Sequence, residues 1–220
     1  MKRRIIETGD GSKTIQIDDW QEQYHSKHGA VQEAYHVFIK HGLDYLSSPE
    51  VIILEIGFGT GLNALITLIE SKKRDISINY TGIEKYPVTQ NELDVLGYVE
   101  NLGAYGFEKT YQEMHKSNWG EEIRLDENFI ISKQQKDFKD IKERNLFNLI
   151  YFDAFGPRVQ PELWTEDMFQ IMFDALKNQG VLVTYSAKGS VRRAMQHVGF
   201  LVERLEGPPG KREMLRATKP

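Results

Sequence analysis

The chain has 220 residues, of which 40% are hydrophobic and 27% charged, a composition typical of a globular protein with one main domain. It contains no cysteine, which excludes disulfides and thiolate metal sites, and its six histidines show no ligand spacing, so we predict no metal. No stretch reaches the roughly 18 apolar residues of a membrane span or shows a signal-peptide pattern, so we expect a cytoplasmic protein without membrane contact.

The net charge of −4 argues against indiscriminate binding of nucleic acid, but this charge is unevenly distributed. Residues 186–220 carry eight basic and three acidic side chains, a net +5 that leaves −9 for the preceding residues. The basic C-terminal edge is therefore either a solvated surface or a face that could engage a polyanion.

The N-terminal part is predicted to be an extension that packs on the main domain. Residues 3–8 and 13–17 flank a Gly-Asp-Gly-Ser turn and indicate a β-hairpin. Apolar residues recur with a helical period over 30–46. We therefore divide the chain into an N-terminal extension, 1–48, and a main domain, 49–220.

The main domain alternates between strand-like and helical segments. Five apolar runs (VIILEI, ISINYTGIE, NFIIS, FNLIYFD and GVLVTYS) are separated by helical stretches, one of which follows Pro87 and is broken near Gly97 and Gly103. FLVERLE and REMLRAT close the chain as an antiparallel pair, because the short GPPGK linker cannot make a parallel crossover. This order predicts an α/β, Rossmann-like fold with a mostly parallel seven-stranded sheet, helices on both faces and an antiparallel C-terminal strand.

A glycine loop, Glu55-Ile56-Gly57-Phe58-Gly59-Thr60-Gly61, follows the first strand of this domain and opens a helix. Glycines allow a tight turn and close approach of a ligand, and the helix start offers free N–H groups to an anion. The G-x-G-x-G spacing departs from the G-x-G-x-x-G of dinucleotide sites. A ligand with a carboxylate that meets the loop amides and an ammonium that meets Glu55 would fit this loop, and S-adenosylmethionine carries both groups. The alternative interpretation of the loop is a tight turn that binds no ligand.

Further acidic residues stand at the ends of later strands, where open α/β sheets bind their ligands. Glu84 is expected to accept both hydroxyls of a ribose, and Asp137 is either an acceptor for an adenine amino group or a surface acid. Asp153 should lie closest to the reacting end of the cofactor, with Phe155 as an apolar wall; a helix cap is the alternative for Asp153.

Several segments together resemble the methyltransferase domain of the bacterial tRNA wobble-uridine modification enzymes of the MnmC type, and its standalone MnmD form. These segments are YHSKHGAVQEAYHVF (24–38), GFGTGLNAL (57–65), IEKYP (83–87), FDAFGP…PELWT (152–165), SAKGSVRRAMQHVGF (186–200) and GKREML (210–215). The resemblance implies a class I S-adenosylmethionine-dependent methyltransferase that methylates the amine of 5-aminomethyl-2-thiouridine at the tRNA wobble position. In bifunctional members an FAD-dependent oxidase follows, so here we expect a separate enzyme or another route to supply the aminomethyl intermediate.

The resemblance and the strand ends together define the expected site. The cofactor-binding residues are predicted to be Glu55, Gly57, Phe58, Gly59, Thr60, Gly61, Asn63, Glu84, Lys85, Asp137 and Asp153. Tyr24 and Phe155 are expected to hold the base. Glu33 is expected to cover the amine or the uracil edge, and a solvent-facing helix acid is the alternative. The phosphates of the anticodon stem-loop are expected to meet Lys188, Arg192, Arg193, Lys211 and Arg212, although the GPPGKRE linker departs from the usual family form.

Asp153 is predicted to be the catalytic residue, as a positioning acceptor for the amine. Moving a proton from an amine with a pKa near 10.4 to an unperturbed aspartate near 3.9 would cost about 9 kcal/mol, which disfavours a stand-alone base. Three other readings remain open: a methyltransferase or aminopropyltransferase acting on a small-molecule amine, a nicotinamide-dependent oxidoreductase, and a catalytically silent RNA-binding module.

Overall fold

The computed structural model describes residues 2–220, which form a small three-stranded sheet and a large eight-stranded sheet. The small sheet contains β1 (Arg3–Glu7), β2 (Lys13–Ile17) and β3 (Glu22–Gln23). The strands of the large sheet are β4 (Glu50–Ile56), β5 (Ser77–Glu84), β6 (Glu122–Asp126), β7 (Phe129–Gln135), β8 (Phe147–Phe152), β9 (Leu176–Thr184), β10 (Leu201–Glu206) and β11 (Glu213–Thr218).

Seven α-helices connect these strands within the described residues. They are α1 (Ala30–Ala34), α2 (Leu62–Arg74), α3 (Gln90–Leu96), α4 (Tyr98–Asn101), α5 (Glu108–Lys116), α6 (Glu166–Ala175) and α7 (Gly189–His197). The first continues as a π-helical segment, Tyr35–Lys40. Short 3-10 turns cover Leu43–Tyr45, Phe138–Asp140 and Pro161–Leu163.

The large sheet has the strand order β10-β11-β9-β8-β4-β5-β7-β6. All pairings from β9 to β7 are parallel, and β11 lies antiparallel to both β9 and β10. The predicted fold class is thus confirmed, with one strand more than expected. The additional strand, β6, pairs antiparallel with β7 at the edge of the sheet. An edge strand is buried less than a central one, so it tolerates three charged residues in five.

The region after β5 is broken into short helices by glycines, as predicted. Gly97 and Gly103 adopt φ values of 63° and 58°, which favour glycine and end α3 and α4. The first of these helices begins at Gln90 rather than at Pro87, because Thr89 forms a capping box with Glu92.

The N-terminal extension shares its apolar core with the main sheet. Phe38 is 2% exposed, and its ring lies 4.9 Å from that of Tyr151 on β8. Val37 and Leu43 belong to the same buried cluster as Leu65 of α2. The boundary at residue 48 stays a prediction, and the two parts are joined by one continuous core.

Lys133 on β7 is a buried cation held by a single hydrogen bond. It is 1% exposed, and its Nζ donates to the His115 carbonyl at 2.8 Å, with no carboxylate within 4 Å among residues 2–220. Burial lowers the pKa of Lys133 from 10.5 to about 8. Between these values the unfolded chain binds more protons, so the contribution of Lys133 to stability increases as the pH rises.

Replacing Lys133 with methionine is expected to flatten this pH dependence. At pH 7 the variant avoids the cost of burying the Lys133 charge, about 3 kcal/mol. The His115 carbonyl, left without its hydrogen-bond donor, offsets about 1–3 kcal/mol of this gain. The variant should therefore be at least as stable as wild type at pH 7 and less stable above pH 10.5. Urea unfolding at both pH values measures this, and an identical pH dependence in the two proteins would contradict it.

Candidate active site

A cavity of about 250 Å³ lies at the carboxyl ends of β8, β4, β5 and β7. The chain runs from β4 outward through β5 to β7 and then returns to β8 on the other side of β4. Open α/β sheets bind ligands at such a reversal of strand order. Six of the predicted cofactor-binding residues line the cavity: Gly57, Gly59, Glu84, Lys85, Asp137 and Asp153. The predicted base-holding aromatics, Tyr24 and Phe155, line it as well.

The glycine loop is fixed against its neighbours by backbone contacts. Gly57 has a φ of 92°, and a Cβ there would lie 2.7 Å from the Asp153 carbonyl oxygen. Only glycine lets the loop approach the backbone of Asp153 this closely. Glu84 accepts the Gly59 N–H at 3.1 Å and the Tyr86 N–H at 2.8 Å, so the carboxylate is oriented at the edge of the cavity. Each oxygen keeps a lone pair for a hydroxyl donor.

Three other loop residues support the loop outside the cavity lining. Phe58 is 2% exposed and packs against Gly82 and Trp119. Thr60 is fully buried, and its Oγ1 lies 2.9 Å from His25 Nε2. Gly61 caps α2 with a φ of 71°. The side chains of Phe58 and Thr60 therefore stabilise the loop, and their predicted contact with the cofactor stays a prediction.

Glu55 is buried behind the cavity and connected to it through Asn63. The Asn63 Nδ2 donates to Glu55 Oε1 at 2.9 Å and to Asp153 Oδ2 at 2.8 Å. Glu55 is 1% exposed, and burial raises its pKa well above the usual range of a glutamate. Asn63 links the Glu55 carboxyl to Asp153 at the cavity, and the predicted contact of Glu55 with an ammonium stays a prediction.

Asp153 is half-buried at the end of β8 and has a strongly perturbed acidity. Burial, followed by the nearby Glu33 carboxylate, raises the pKa of Asp153 to about 7, against the hydrogen bond from Asn63 and the charge of Lys211. Proton transfer from an amine of pKa about 10.4 then costs about 5 kcal/mol, roughly half the value for an ordinary aspartate. Asp153 can thus both orient an amine and hold its proton transiently.

Glu33, Lys211 and Tyr185 form a second cluster beside Asp153. Glu33 is 7% exposed on α1, accepts the Ser26 N–H at 2.9 Å and is ion-paired with Lys211 Nζ. The same ammonium lies 3.8 Å from the centre of the Tyr185 ring. Lys211, predicted to meet phosphates, is therefore engaged within the site by the residue predicted to cover the amine.

Residues of the N-terminal segment cover the cavity. Trp20 and Tyr24 meet the Phe155 ring edge-to-face, with centroids 5.3 Å and 5.0 Å away. Gln23 and His25 also line the cavity, and burial lowers the pKa of His25 to about 4. The sequence offered Tyr24 only through the family resemblance, and its neighbours on this cover were missed.

Two arginines fasten this cover to the main domain. Arg158 donates to the Trp20 carbonyl at 3.1 Å and pairs with Glu22. On the other side, Arg3 donates to the Tyr86 carbonyl at 2.9 Å. The N-terminal part of the chain is therefore attached to the main domain on two sides of the cavity.

Lys85 and Asp137 form an ion pair of 2.8 Å at the far end of the cavity. Asp137 also accepts the Lys139 N–H at 3.1 Å and caps the 3-10 turn after β7. The hydrogen bond from Lys85, more than the other contacts, lowers the pKa of Asp137. Asp137 is thus an ionised acceptor at the cavity edge.

The remaining predicted phosphate contacts lie at the same edge of the sheet. Lys188 is the exposed N-cap of α7, which follows the carboxyl end of β9. Arg193 is exposed and Arg192 half-buried on the first turn of this helix. Arg212 is exposed in the loop before β11, whose start lies beside the end of β9 because these strands are antiparallel. The four cations therefore lie on the β9 side of the rim that carries the cavity.

Two further properties concern metals and membranes. Within residues 2–220 no group of three or more histidine, aspartate or glutamate side chains could hold a metal ion. In the same part of the chain, no helix is long and apolar enough to cross a membrane.

Comparison with known proteins identifies a related family. A family profile described as S-adenosyl-L-methionine-dependent methyltransferase matches residues 105–220. The tRNA 5-methylaminomethyl-2-thiouridine biosynthesis bifunctional protein MnmC of Pseudoalteromonas atlantica is 28% identical over 222 residues, covering 87% of this chain and 30% of that protein. An uncharacterized protein of Methanocaldococcus jannaschii is 27% identical, covering 98% of this chain and 59% of its own length. The chain thus spans less than two thirds of these relatives, and its predicted resemblance is confirmed.

Solved structures share the fold. MnmC2 from Aquifex aeolicus has a TM-score of 0.82 at 24% identity, covering 100% of this chain and 71% of that one. Spermidine synthase from Thermotoga maritima has a TM-score of 0.61 at 14% identity, covering 98% and 68%. At these identities the likeness establishes the architecture only.

Proposed function

Because the chain belongs to the S-adenosyl-L-methionine-dependent methyltransferase family, we propose that it methylates the amine of 5-aminomethyl-2-thiouridine at the tRNA wobble position. The product is the corresponding methylaminomethyl nucleoside. The observation that carries the proposal is that Asp153 lines the cavity and that the Glu33 carboxylate lies near enough to raise the pKa of Asp153, because such a pair of carboxylates suits an amine acceptor. The name of the MnmC relatives supports 5-methylaminomethyl-2-thiouridine as the product.

The cavity residues fit the family's cofactor, S-adenosyl-L-methionine. We assign the ribose hydroxyls to Glu84, the adenine amino group to Asp137 and the cofactor ammonium to Asp153. Asn63 Oδ1 is buried without a hydrogen-bond partner in the described chain, which leaves an acceptor beside Asp153 for the same group. The cofactor supplies an electrophilic methyl group on its sulfonium.

Asp153 then acts on the methyl acceptor. Only the neutral amine is nucleophilic, so the site must take a proton from the ammonium form before transfer. A carboxylate with a pKa of about 7 can accept this proton and release it to water at neutral pH. Its second function is orientation, since a hydrogen bond from the amine directs the nitrogen lone pair toward the cavity.

The wobble base would be enclosed by aromatic side chains and the RNA by cations. Phe155 and Tyr24 offer ring surfaces at the cavity, as expected for an enzyme that takes a base out of its stack. The cations around the rim would meet phosphates of the anticodon stem-loop. A separate enzyme would supply the aminomethyl group.

A methyl-transfer assay separates this proposal from a small-amine enzyme. Labelled S-adenosyl-L-methionine is incubated with tRNA that carries 5-aminomethyl-2-thiouridine, or with polyamines. We expect label in the tRNA, recovered after nuclease digestion as the methylaminomethyl nucleoside, and background counts in polyamines. Label in polyamines but not in tRNA would favour the small-amine alternative. That alternative is supported by the chemistry of Asp153 and Glu33, whose carboxylates suit any amine.

A further inference from the structure

The side chain of Lys211 occupies a preformed environment for an alkylammonium group. Its Nζ is paired with the Glu33 carboxylate and lies 3.8 Å from the centre of the Tyr185 ring. Both partners are fixed independently of Lys211: Glu33 accepts the Ser26 N–H at 2.9 Å, and the Tyr185 hydroxyl donates to the Ala154 carbonyl at 2.8 Å. A carboxylate beside an aromatic face is a typical arrangement for binding an organic cation.

We propose that Glu33 and the Tyr185 ring form the subsite for the acceptor amine, and that Lys211 occupies it until RNA binds. The identity of the acceptor rests on the function proposed above. Lysine and the aminomethyl nucleoside both end in a –CH2–NH3+ group, so the same contacts serve both. Tyr185 lines the cavity next to Asp153, and the subsite therefore adjoins the residue that takes the proton.

The position of Lys211 in the chain explains how RNA could release it. Lys211 lies in the loop between β10 and β11, next to the exposed Arg212. Gly210 has a φ of 82° and packs closely against the His28 ring, so the loop is seated on the N-terminal segment. An RNA phosphate at this rim offers Lys211 a second anionic partner.

Selectivity for RNA over free amines follows from this exchange. In the free protein a small amine must compete with a tethered ammonium, whose effective concentration is high. A polynucleotide both delivers the acceptor and draws Lys211 away. The subsite is therefore closed to polyamines although its chemistry suits them.

The test replaces Lys211 with alanine and adds n-propylammonium chloride. We expect saturable stabilisation of Lys211→Ala, about 3–6 °C in Tm at ten times the Kd, and none in wild type. Sodium chloride at equal ionic strength should have no such effect, because a small, strongly hydrated cation gains little from the Tyr185 ring. Lys40→Ala, which removes an exposed lysine elsewhere, is the matched control, and Lys211→Ala with Glu33→Gln should lose the response.

A second variant and an activity measurement complete the test. Lys211→Ser provides a polar replacement if alanine leaves the loop unfolded. With labelled S-adenosyl-L-methionine, Lys211→Ala should methylate propylamine at least tenfold faster than wild type. Equal responses of wild type and both Lys211 variants to propylammonium would overturn the inference even if wild type methylates tRNA. Stabilisation of the variants without tRNA methylation by wild type would instead overturn the proposed function alone.

Discussion

Replacing Asp153 with asparagine is expected to slow methyl transfer about 10²–10⁴-fold. Cofactor affinity should stay within about tenfold, because Asn63 Oδ1 remains as an acceptor for the cofactor ammonium. Asparagine has the shape of aspartate and can still accept the hydrogen bond that Asn63 donates at 2.8 Å. It cannot take up a proton from the acceptor amine, and it presents an N–H₂ donor where the ammonium needs an acceptor. The loss should therefore fall on turnover.

Single-turnover transfer to tRNA and calorimetric binding of S-adenosylhomocysteine separate these effects. A near-normal single-turnover rate in Asp153→Asn would show that Asp153 neither orients nor deprotonates the amine. An equal loss of product affinity would instead show that Asp153 serves the cofactor only. The wild-type rate should rise through pH 7 as Asp153 ionises, and this rise should disappear in the variant.

The same substitution is expected to stabilise the protein at alkaline pH, which provides a control for folding. The pKa of Asp153 is raised from 3.8 to about 7, so the folded protein binds more protons than the unfolded chain between these values. Stability from this group is complete below pH 3.8 and lost as the pH rises through 7. At pH 8 the ionised carboxylate costs up to about 4 kcal/mol, which asparagine avoids. Urea unfolding at pH 5 and pH 8 measures the difference.

The part of the site that the sequence predicted is the part determined by the parallel sheet. Glu84, Asp137 and Asp153 stand at the carboxyl ends of β5, β7 and β8, which run parallel in one sheet and therefore end at the same edge. Tyr185 follows β9 at the same edge, and the same reasoning would have found it. The same reasoning could not predict that the Glu55 side chain lies behind the cavity. Successive side chains of a strand point to opposite faces of the sheet, so a shift of one residue changes the face.

Contacts between distant segments carry no local signal. The pair formed by Glu33 and Lys211 spans 178 positions and joins α1 to the last hairpin. From its local sequence alone, Glu33 is interpreted as an exposed charge on a helix and Lys211 as an exposed charge in a basic loop. Arg3 and Arg158 fasten the cover over the cavity through contacts of the same kind. Such pairs depend on how the N-terminal segment lies across the sheet. The spacing of apolar residues along the sequence does not indicate this arrangement.

Removing four cations from the rim is expected to weaken tRNA binding about 100-fold at physiological salt. The variant replaces Lys188, Arg192, Arg193 and Arg212 with alanine and leaves Lys211 in place, since that side chain is engaged by Glu33. Each lost phosphate contact reduces the slope of log affinity against log salt by about 0.7–0.9. The slope should therefore fall by about 3, with Arg192 contributing least because it is half-buried.

Filter binding over a range of salt concentrations measures the slope, and a variant with an equal charge change serves as control. Alanine at Lys40, Lys109, Lys116 and Lys142 removes four exposed lysines from other parts of the chain. If both variants weaken binding equally, net charge rather than the rim decides affinity. The rim cations lie outside the cavity lining. The rim variant should therefore keep its turnover at saturating tRNA and show only a raised KM. A fall in turnover would place one of these cations at the reacting base instead.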